Sequence, residues 1–362
     1  MKTEIKTAII CGIIITIGIV SISVFYNEVD MKRNTPYNNE IADKSKLQKV
    51  PSILDATGYI NISSNELAET LEGKVVLYDI WTYSCINCIR TLPYITTWDE
   101  KYRNEGLVIV GIHTPEFEFE KNKDNVMAAV QKFDINYPVV LDNEKEIWNA
   151  FQNKYWPRKY IADHDGYIRY DHIGEGSYKE TEEVIQKLLR ERSESLGIKT
   201  SNLELLELDE FKHSTFRTPE LYFGYHFASG RNNLGNENGF NPEEVVEYNI
   251  PLELKQHYFY LDGKWNNSKD SMKLVSENGL IVLQYNAKQV NIVASNMAEL
   301  EIFIDGQVVP KRMIGVDLNP DSKIIITEPR LYNIVNSNVT ESHELVIKVN
   351  DPKFEIFTLT FG

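Results

Sequence analysis

Between residues 51 and 195, short apolar runs alternate with segments whose apolar residues recur every three or four positions. The runs at 74–80 (KVVLYDI), 106–113 (GLVIVGIH) and 137–142 (YPVVLD) are continuous and β-rich, as strands buried on both faces are. Between them, Ile89, Leu92, Ile95, Trp98 and Tyr102 have the spacing of one helix face and predict a helix over 88–103. Residues 121–134 and 144–153 predict two further helices. KYIAD and YIRYDHIG flank the turn His164-Asp165-Gly166, a hairpin signal, and 177–192 closes the region as a helix. Ser177 and Glu180 before and within that helix have capping-box spacing. Strands alternating with helices predict a mostly parallel sheet covered on both faces, with an antiparallel part at the terminal hairpin.

From about 219 the period changes. HYFYLDGKW, GLIVLQYNA, LEIFIDGQVV and HELVIKVN are β-rich runs separated by turn residues, and few segments keep a helical period. Regularly spaced short strands predict an all-β, jelly-roll-like sandwich over 219–362. Residues 196–218 read as a linker. Residues 26–50 are polar, charged and aperiodic, which predicts a second linker or tether.

At the N-terminus, residues 7–25 (TAIICGIIITIGIVSISVF) carry no charge. Their length is close to the roughly 20 residues that cross a hydrocarbon core as a helix. A cleaved signal is the rival reading, although its apolar part usually runs to about 7–15 residues. The expectation is one transmembrane helix over 7–25, residues 1–6 as a cytoplasmic tail and the remainder extracytoplasmic. Cys11 lies inside the apolar run and reads as a small hydrophobe there. Three N-x-S/T tripeptides, at Asn61, Asn266 and Asn338, are compatible with an outside location. Composition adds one exclusion. The 362 residues have a formal net charge of -15, a field that repels nucleic acid, so a nucleic-acid partner is not expected.

The chemistry concentrates in VVLYDIWTYSCINCIRTLPY, where Cys85 and Cys88 follow a predicted strand and open a predicted helix. A zinc site needs about four ligands, and the chain has no second CxxC. A c-type haem site needs His after the second cysteine, and Ile89 stands there. A purely structural disulfide over so short a loop constrains the unfolded chain little. A redox pair explains the placement: unpaired N–H groups at a helix start favour an anionic sulfur at Cys85, and Cys88 one turn later is placed to resolve a mixed disulfide. His113, Glu116 and Glu118 follow a predicted strand end and read either as hydrogen-bonded structural groups or as neighbours of this site.

The segment DIWTYSCINCIRTLP, with Trp81 in it, resembles the active-site segment of thioredoxins, and the resemblance extends over about 51–192. It implies a thioredoxin fold. It implies that Asp79 is the family's buried acid, handling the proton of Cys88; that Pro93 is the family's helix proline; and that Pro157, in YWPRKYIADHDG, is the cis-proline facing the disulfide. Trp156 before it departs from the threonine or valine many thioredoxins carry, which bears on partner choice. GIHTPEFEFEKNKDNV, TPELYFGYHF and the terminal FTLTFG narrow the resemblance to TlpA-like, DipZ-type proteins, which add a carbohydrate-binding-module-like C-terminal domain.

The function so implied is a membrane-anchored extracytoplasmic thiol–disulfide oxidoreductase acting through Cys85-Ile-Asn-Cys88. Its expected substrates are protein thiols and disulfides, of the cytochrome c or metalloprotein maturation type. It needs no bound cofactor or metal, because the dithiol carries the electrons, and it needs a separate transmembrane electron donor or acceptor. A different class stays open: a surface binding protein whose β-sandwich recognises carbohydrate or another protein, with Trp265, Tyr222, Tyr225, Tyr258 and Tyr260 either offering aromatic faces or filling the core. A peroxide-reducing thiol enzyme is a third reading. Thr82 stands three residues before Cys85, without the proline that reading would place beside it.

Overall fold

A computed structural model of the chain describes residues 44–198, 204–206, 211, 217–231 and 233–362. The expected tail at 1–6, the expected span at 7–25 with Cys11, and most of both expected linkers lie outside the described residues. Among the described residues no helix is long and apolar enough to cross a membrane. The chain divides into two compact units. The first takes the described parts of Met1–Trp81, Thr91–Thr114 and Ile135–Leu208; the second takes Thr82–Arg90, Pro115–Asp134 and Asp209–Gly362.

The first unit is built on six strands: β1 (Gly58–Ile60), β2 (Val75–Trp81), β3 (Leu107–His113), β4 (Val139–Leu141), β5 (Arg158–Ala162) and β6 (Ile168–Ile173). They lie in the order β1-β4-β3-β2-β5-β6. The helices in chain order are α1 (Ser64–Leu71), α2 (Ile86–Tyr102), α3 (Lys123–Lys132), α4 (Glu146–Ala150) and α5 (Tyr178–Leu196), of which α3 belongs to the second unit. All seven residues of β2 and all seven of β3 are buried, as their unbroken apolar runs require. Val76, Tyr78 and Ile80 share one core cluster with Val108, Val110 and Ile112.

The sheet is mixed rather than mostly parallel. Only β2–β3 and β3–β4 pair parallel, while β1–β4, β2–β5 and β5–β6 pair antiparallel. The reason lies after β4. Helix α4 has five residues, so it spans only about 8 Å. Beyond it the chain enters β5 antiparallel to β2, which ends the parallel run. Two elements went unforeseen, β1 and α1. The signal for α1 was present: Ser63 caps it, and the Glu66 carboxylate accepts from the Ser63 N–H at 2.9 Å. The capping box expected at Ser177 is absent. Ser177 has φ 48° and ψ 33°, a left-handed backbone from which its hydroxyl makes no cap bond.

The second unit is β-rich. Its strands are β7 (Leu221–Tyr222), β8 (Val245–Tyr248), β9 (Phe259–Asn267), β10 (Met272–Leu274), β11 (Gly279–Ser295), β12 (Ala298–Ile304), β13 (Gln307–Val308), β14 (Lys323–Ile326), β15 (Arg330–Val349) and β16 (Glu355–Phe361), with a short helix α6 (Tyr225–Ala228) after β7. Their hydrogen bonding runs on as one sheet rather than the two separate sheets of the expected sandwich. The long antiparallel pair β11–β15 makes this possible. One end of β11 pairs with β9 and the other with β16, and the register shifts at Ala287/Gln289 and Val290/Asn291 between them. Such shifts bend a strand and increase its twist. Strand β10 pairs with both β9 and β16, so the ladder β9–β10–β16–β11 returns on itself. Trp265 is fully buried in this core, where its indole N–H donates to the Asp262 carbonyl at 2.8 Å. Tyr222 and Tyr260 are also buried, whereas Tyr225 and Tyr258 are half-buried.

Gly111 on β3 sits where a side chain has no room. A Cβ there would stand 3.0 Å from the Trp81 indole nitrogen, 3.2 Å from the Tyr137 ring and 3.3 Å from Val139. All three neighbours are packed in the interior, so Gly111→Ala is expected to cost about 1–3 kcal/mol by overpacking. Urea unfolding measures it; an unchanged midpoint would show that the sheet yields at this point.

Candidate functional site

Strand β2 ends at Trp81 in the middle of the sheet, and the chain turns through Thr82, Tyr83 and Ser84, all buried, before α2 begins at Ile86. Cys85 occupies the N-cap position. Its N–H donates to the Thr82 carbonyl at 3.3 Å, and its own carbonyl accepts the first helical bond from Ile89 at 3.0 Å. Its side chain does what a capping side chain does: Sγ accepts from the Cys88 backbone N–H at 3.4 Å. Both cysteines are free thiols; Cys85 is half-buried and Cys88 fully buried. One sulfur is thus reachable at the helix start, and the other waits inside.

The turn before Cys85 is held by a residue the sequence reading missed. Glu120 is fully buried, and burial raises its carboxyl above the usual range. One oxygen accepts from the Ser84 hydroxyl at 2.6 Å. The other accepts from the backbone N–H groups of Glu116 and Phe117 at 2.6 and 2.9 Å. The signal was slight, one more acid in EFEFEK, with nothing to mark which of the glutamates turns inward. Glu116, named as a candidate, instead accepts from the Tyr222 hydroxyl at 2.6 Å. Glu118 is exposed.

Asp79 lies on β2, six residues before Cys85, with 1% of its surface exposed. Burial pushes its carboxyl up to about 6, against the opposing pull of Lys159. Lys159 is its register partner on β5, is itself fully buried, and donates to the Gly174 carbonyl at 3.1 Å. Asp79 Oδ1 has no hydrogen-bond partner among the described residues. A carboxyl in this state is poised to gain or lose a proton near neutrality.

His113 is fully buried, packs edge-on to Trp81 at 5.4 Å, and is held by burial at about 3, so it stays neutral at pH 7. That is a packing role. Trp156 packs tilted against Trp148, with ring centres 4.2 Å apart, and donates its indole N–H to the Thr114 carbonyl at 2.9 Å. The Trp156–Pro157 peptide bond is cis, and the Pro157 carbonyl accepts from Gly174. Pro93 lies inside α2 on an exposed position. Among the described residues no group of three His, Cys, Asp or Glu side chains could hold a metal ion.

Residues 47–189 match the family described as Redoxin, and residues 218–362 match the Thioredoxin like C-terminal domain. The chain belongs with the thioredoxin-like proteins. It is 30% identical over 314 residues to Protein DipZ of Mycobacterium bovis, a match covering 86% of this chain and 42% of that one. The chain thus spans less than half the length of that relative. Thiol-disulfide oxidoreductase YkuV of Bacillus subtilis is 26% identical over 145 residues, covering 40% of this chain and 96% of YkuV. A solution structure of a thioredoxin-like protein in its oxidized form aligns with a TM-score of 0.36 at 24% identity, covering 40% of this chain and 97% of that one.

The raised carboxyl of Asp79 carries a sign. Between pH 3.8 and about 6 the folded state holds a proton the unfolded chain has released, so stability falls as pH rises through that window. Above about 6 the deficit is constant at about 3 kcal/mol. Asp79→Asn is therefore expected to be more stable than the parent by roughly 2–3 kcal/mol at pH 8 and equal to it at pH 3. Equal differences at both pH values in denaturant titrations would remove the assignment.

Proposed function

We propose that the chain is a thiol–disulfide oxidoreductase that reduces disulfides of protein substrates. The observation that carries this reading is the bond from the Cys88 N–H to Cys85 Sγ at the start of α2, with Cys88 buried behind it. The Cys85 thiolate attacks a substrate disulfide. An S–S bond forms between Cys85 and the substrate, and the substrate's other sulfur leaves as a thiolate. Cys88 then loses its proton, attacks Cys85 and expels the second substrate thiolate. Two electrons pass from the dithiol to the substrate, and the enzyme is left as the Cys85–Cys88 disulfide. Asp79 is the group suited to take the proton of Cys88, through water, because its carboxyl lies near 6. Pro157 and Trp156 border the substrate by the family pattern. No bound cofactor enters this cycle.

The reading extends to an extracytoplasmic enzyme anchored by 7–25 and re-reduced by a separate transmembrane donor, with substrates of the cytochrome c or metalloprotein maturation type. The support is the uncharged run at 7–25 and the similarity to DipZ. A surface-binding role for the C-terminal region has less support, since Trp265, Tyr222 and Tyr260 are buried.

Two measurements test the proposal. Mixed with an excess of an aromatic disulfide, Cys88→Ser is expected to stop at a stable mixed disulfide on Cys85, and Cys85→Ser to form none; mass spectrometry reads both. Trapping on Cys88 in place of Cys85 would reverse the assigned roles. The potential of the couple is expected near about -270 mV, the reducing end of the thioredoxin range; a value near about -120 mV would make the chain an oxidant of substrate thiols.

A further inference from the structure

Four residues form one rung across the sheet of the first unit. Lys159 on β5 pairs with Asp79 on β2, Asp79 with Gly111 on β3, and Gly111 with Val139 on β4. Neighbouring strands lie about 4.8 Å apart, and residues in register share a face. Gly111 adds no side chain to this rung, so the space beside Asp79 is filled from elsewhere. A Cβ on Gly111 would stand 3.2 Å from the Tyr137 ring and 3.0 Å from the Trp81 indole nitrogen. Both side chains thus close over the rung position next to the Asp79 carboxyl.

All three side chains are buried, and each has a polar atom with no hydrogen-bond partner among the described residues: Asp79 Oδ1, the Trp81 indole N–H and the Tyr137 hydroxyl. One is an acceptor and two are donors. A buried donor left without a partner is costly, and a charged acceptor makes the stronger bond. Burial holds the Tyr137 hydroxyl protonated, and the nearby carboxyls of Asp79 and Asp99 act in the same direction, so the group is a donor at any working pH. The other charged groups here have their own roles. Lys159 faces Asp79 from β5, and Asp99 on α2 is paired with Arg103. His113, edge-on to Trp81, is neutral.

We propose that Tyr137 is a positioning residue for Asp79: its hydroxyl donates to Oδ1, across at most one buried water, when the carboxyl is ionised, and the bond lapses when the carboxyl is protonated. The hydroxyl thereby fixes how readily Asp79 takes up a proton, with the Trp81 N–H beside it as a second donor. The inference rests on the exchange reaction proposed above for its consequence. There Cys88 gives its S–H proton to Asp79, its sulfur forms the S–S bond to Cys85, and the substrate sulfur leaves as a thiolate. Without the hydroxyl the ionised carboxyl loses a donor and binds a proton about tenfold more tightly.

The test is a double-mutant cycle in urea unfolding of the full chain, with Tyr137→Phe, Asp79→Asn and the double variant, at pH 5 and pH 8. Removing the donor is expected to raise the Asp79 midpoint from about 6 by about one pH unit. The folded-state value then lies still farther above the unfolded 3.8, so Tyr137→Phe loses stability as pH rises past about 6 and loses nothing below pH 5. Between pH 5 and pH 8 its folding constant is expected to fall about tenfold further than the parent's, or about 1.4 kcal/mol, with no such change in the Asp79→Asn background. A difference equal at both pH values overturns the proposal. So does a pH-dependent difference that persists with Asn at position 79, which assigns the hydroxyl to Asp99 instead. Should Tyr137→Phe not fold at pH 8, the double variant decides: its folding supports the tie to the charge, and its failure to fold overturns it. Exchange is followed separately, in single turnover with an aromatic disulfide, where the midpoint near 6 is expected to move up by the same amount. Absence of any exchange removes the reaction proposed above and leaves the urea result to judge Tyr137.

Discussion

The buried carboxylate of Glu120 holds the bend on which the rest of the site depends. A strand must stop and a helix must start within four residues, and the buried groups between them need partners. Glu120 supplies them: it accepts from the Ser84 side chain and from two consecutive backbone N–H groups beyond β3. Burying a carboxyl is costly, and these three bonds offset much of that cost. With Ser84 tied down, Cys85 is left at the one place where its carbonyl starts the helix and its sulfur meets the N–H of Cys88.

A second theme is how differently burial treats three ionisable groups of the first unit. His113 is driven so far down that it is an uncharged packing group against Trp81. Lys159 keeps a carbonyl partner at Gly174. Asp79 lies between these cases, with Lys159 opposing the desolvation that raises it, so its carboxyl comes to rest near 6 rather than far above. A carboxyl in that intermediate position can gain or lose a proton near neutral pH.

The C-terminal strands do more than follow the cysteine pair along the chain. The second unit incorporates Thr82–Arg90 and Pro115–Asp134, and within it Arg90, five residues after Cys85, bonds to Gln289 and lies over the Phe211 ring. The surroundings of the turn that carries Cys85 are thus set in part by a residue two hundred positions away.

Much of this was legible in the chain. The buried strands β2 and β3, the helix after the cysteines and the terminal hairpin follow from apolar runs and three- to four-residue spacing, because burial on two faces and burial on one stripe leave different periods. Cys85 and Cys88 were evident for the same reason: their spacing is local, and one helical turn joins them. Ser63 and Glu66 carried a legible cap, whereas Ser177 and Glu180 carried an identical one that a left-handed backbone leaves unused. What the sequence could not decide is what depends on packing between distant segments. Nothing in HTPEFEFE says that Glu120 turns inward, Glu116 meets Tyr222 and Glu118 stays in water. Nothing in the C-terminal runs says that β11 and β15 bend through register shifts into one continuous ladder. Periodicity reports which face of an element is buried. Only the folded chain decides what that face is buried against, and the charges and pKa shifts of the site follow from that second choice.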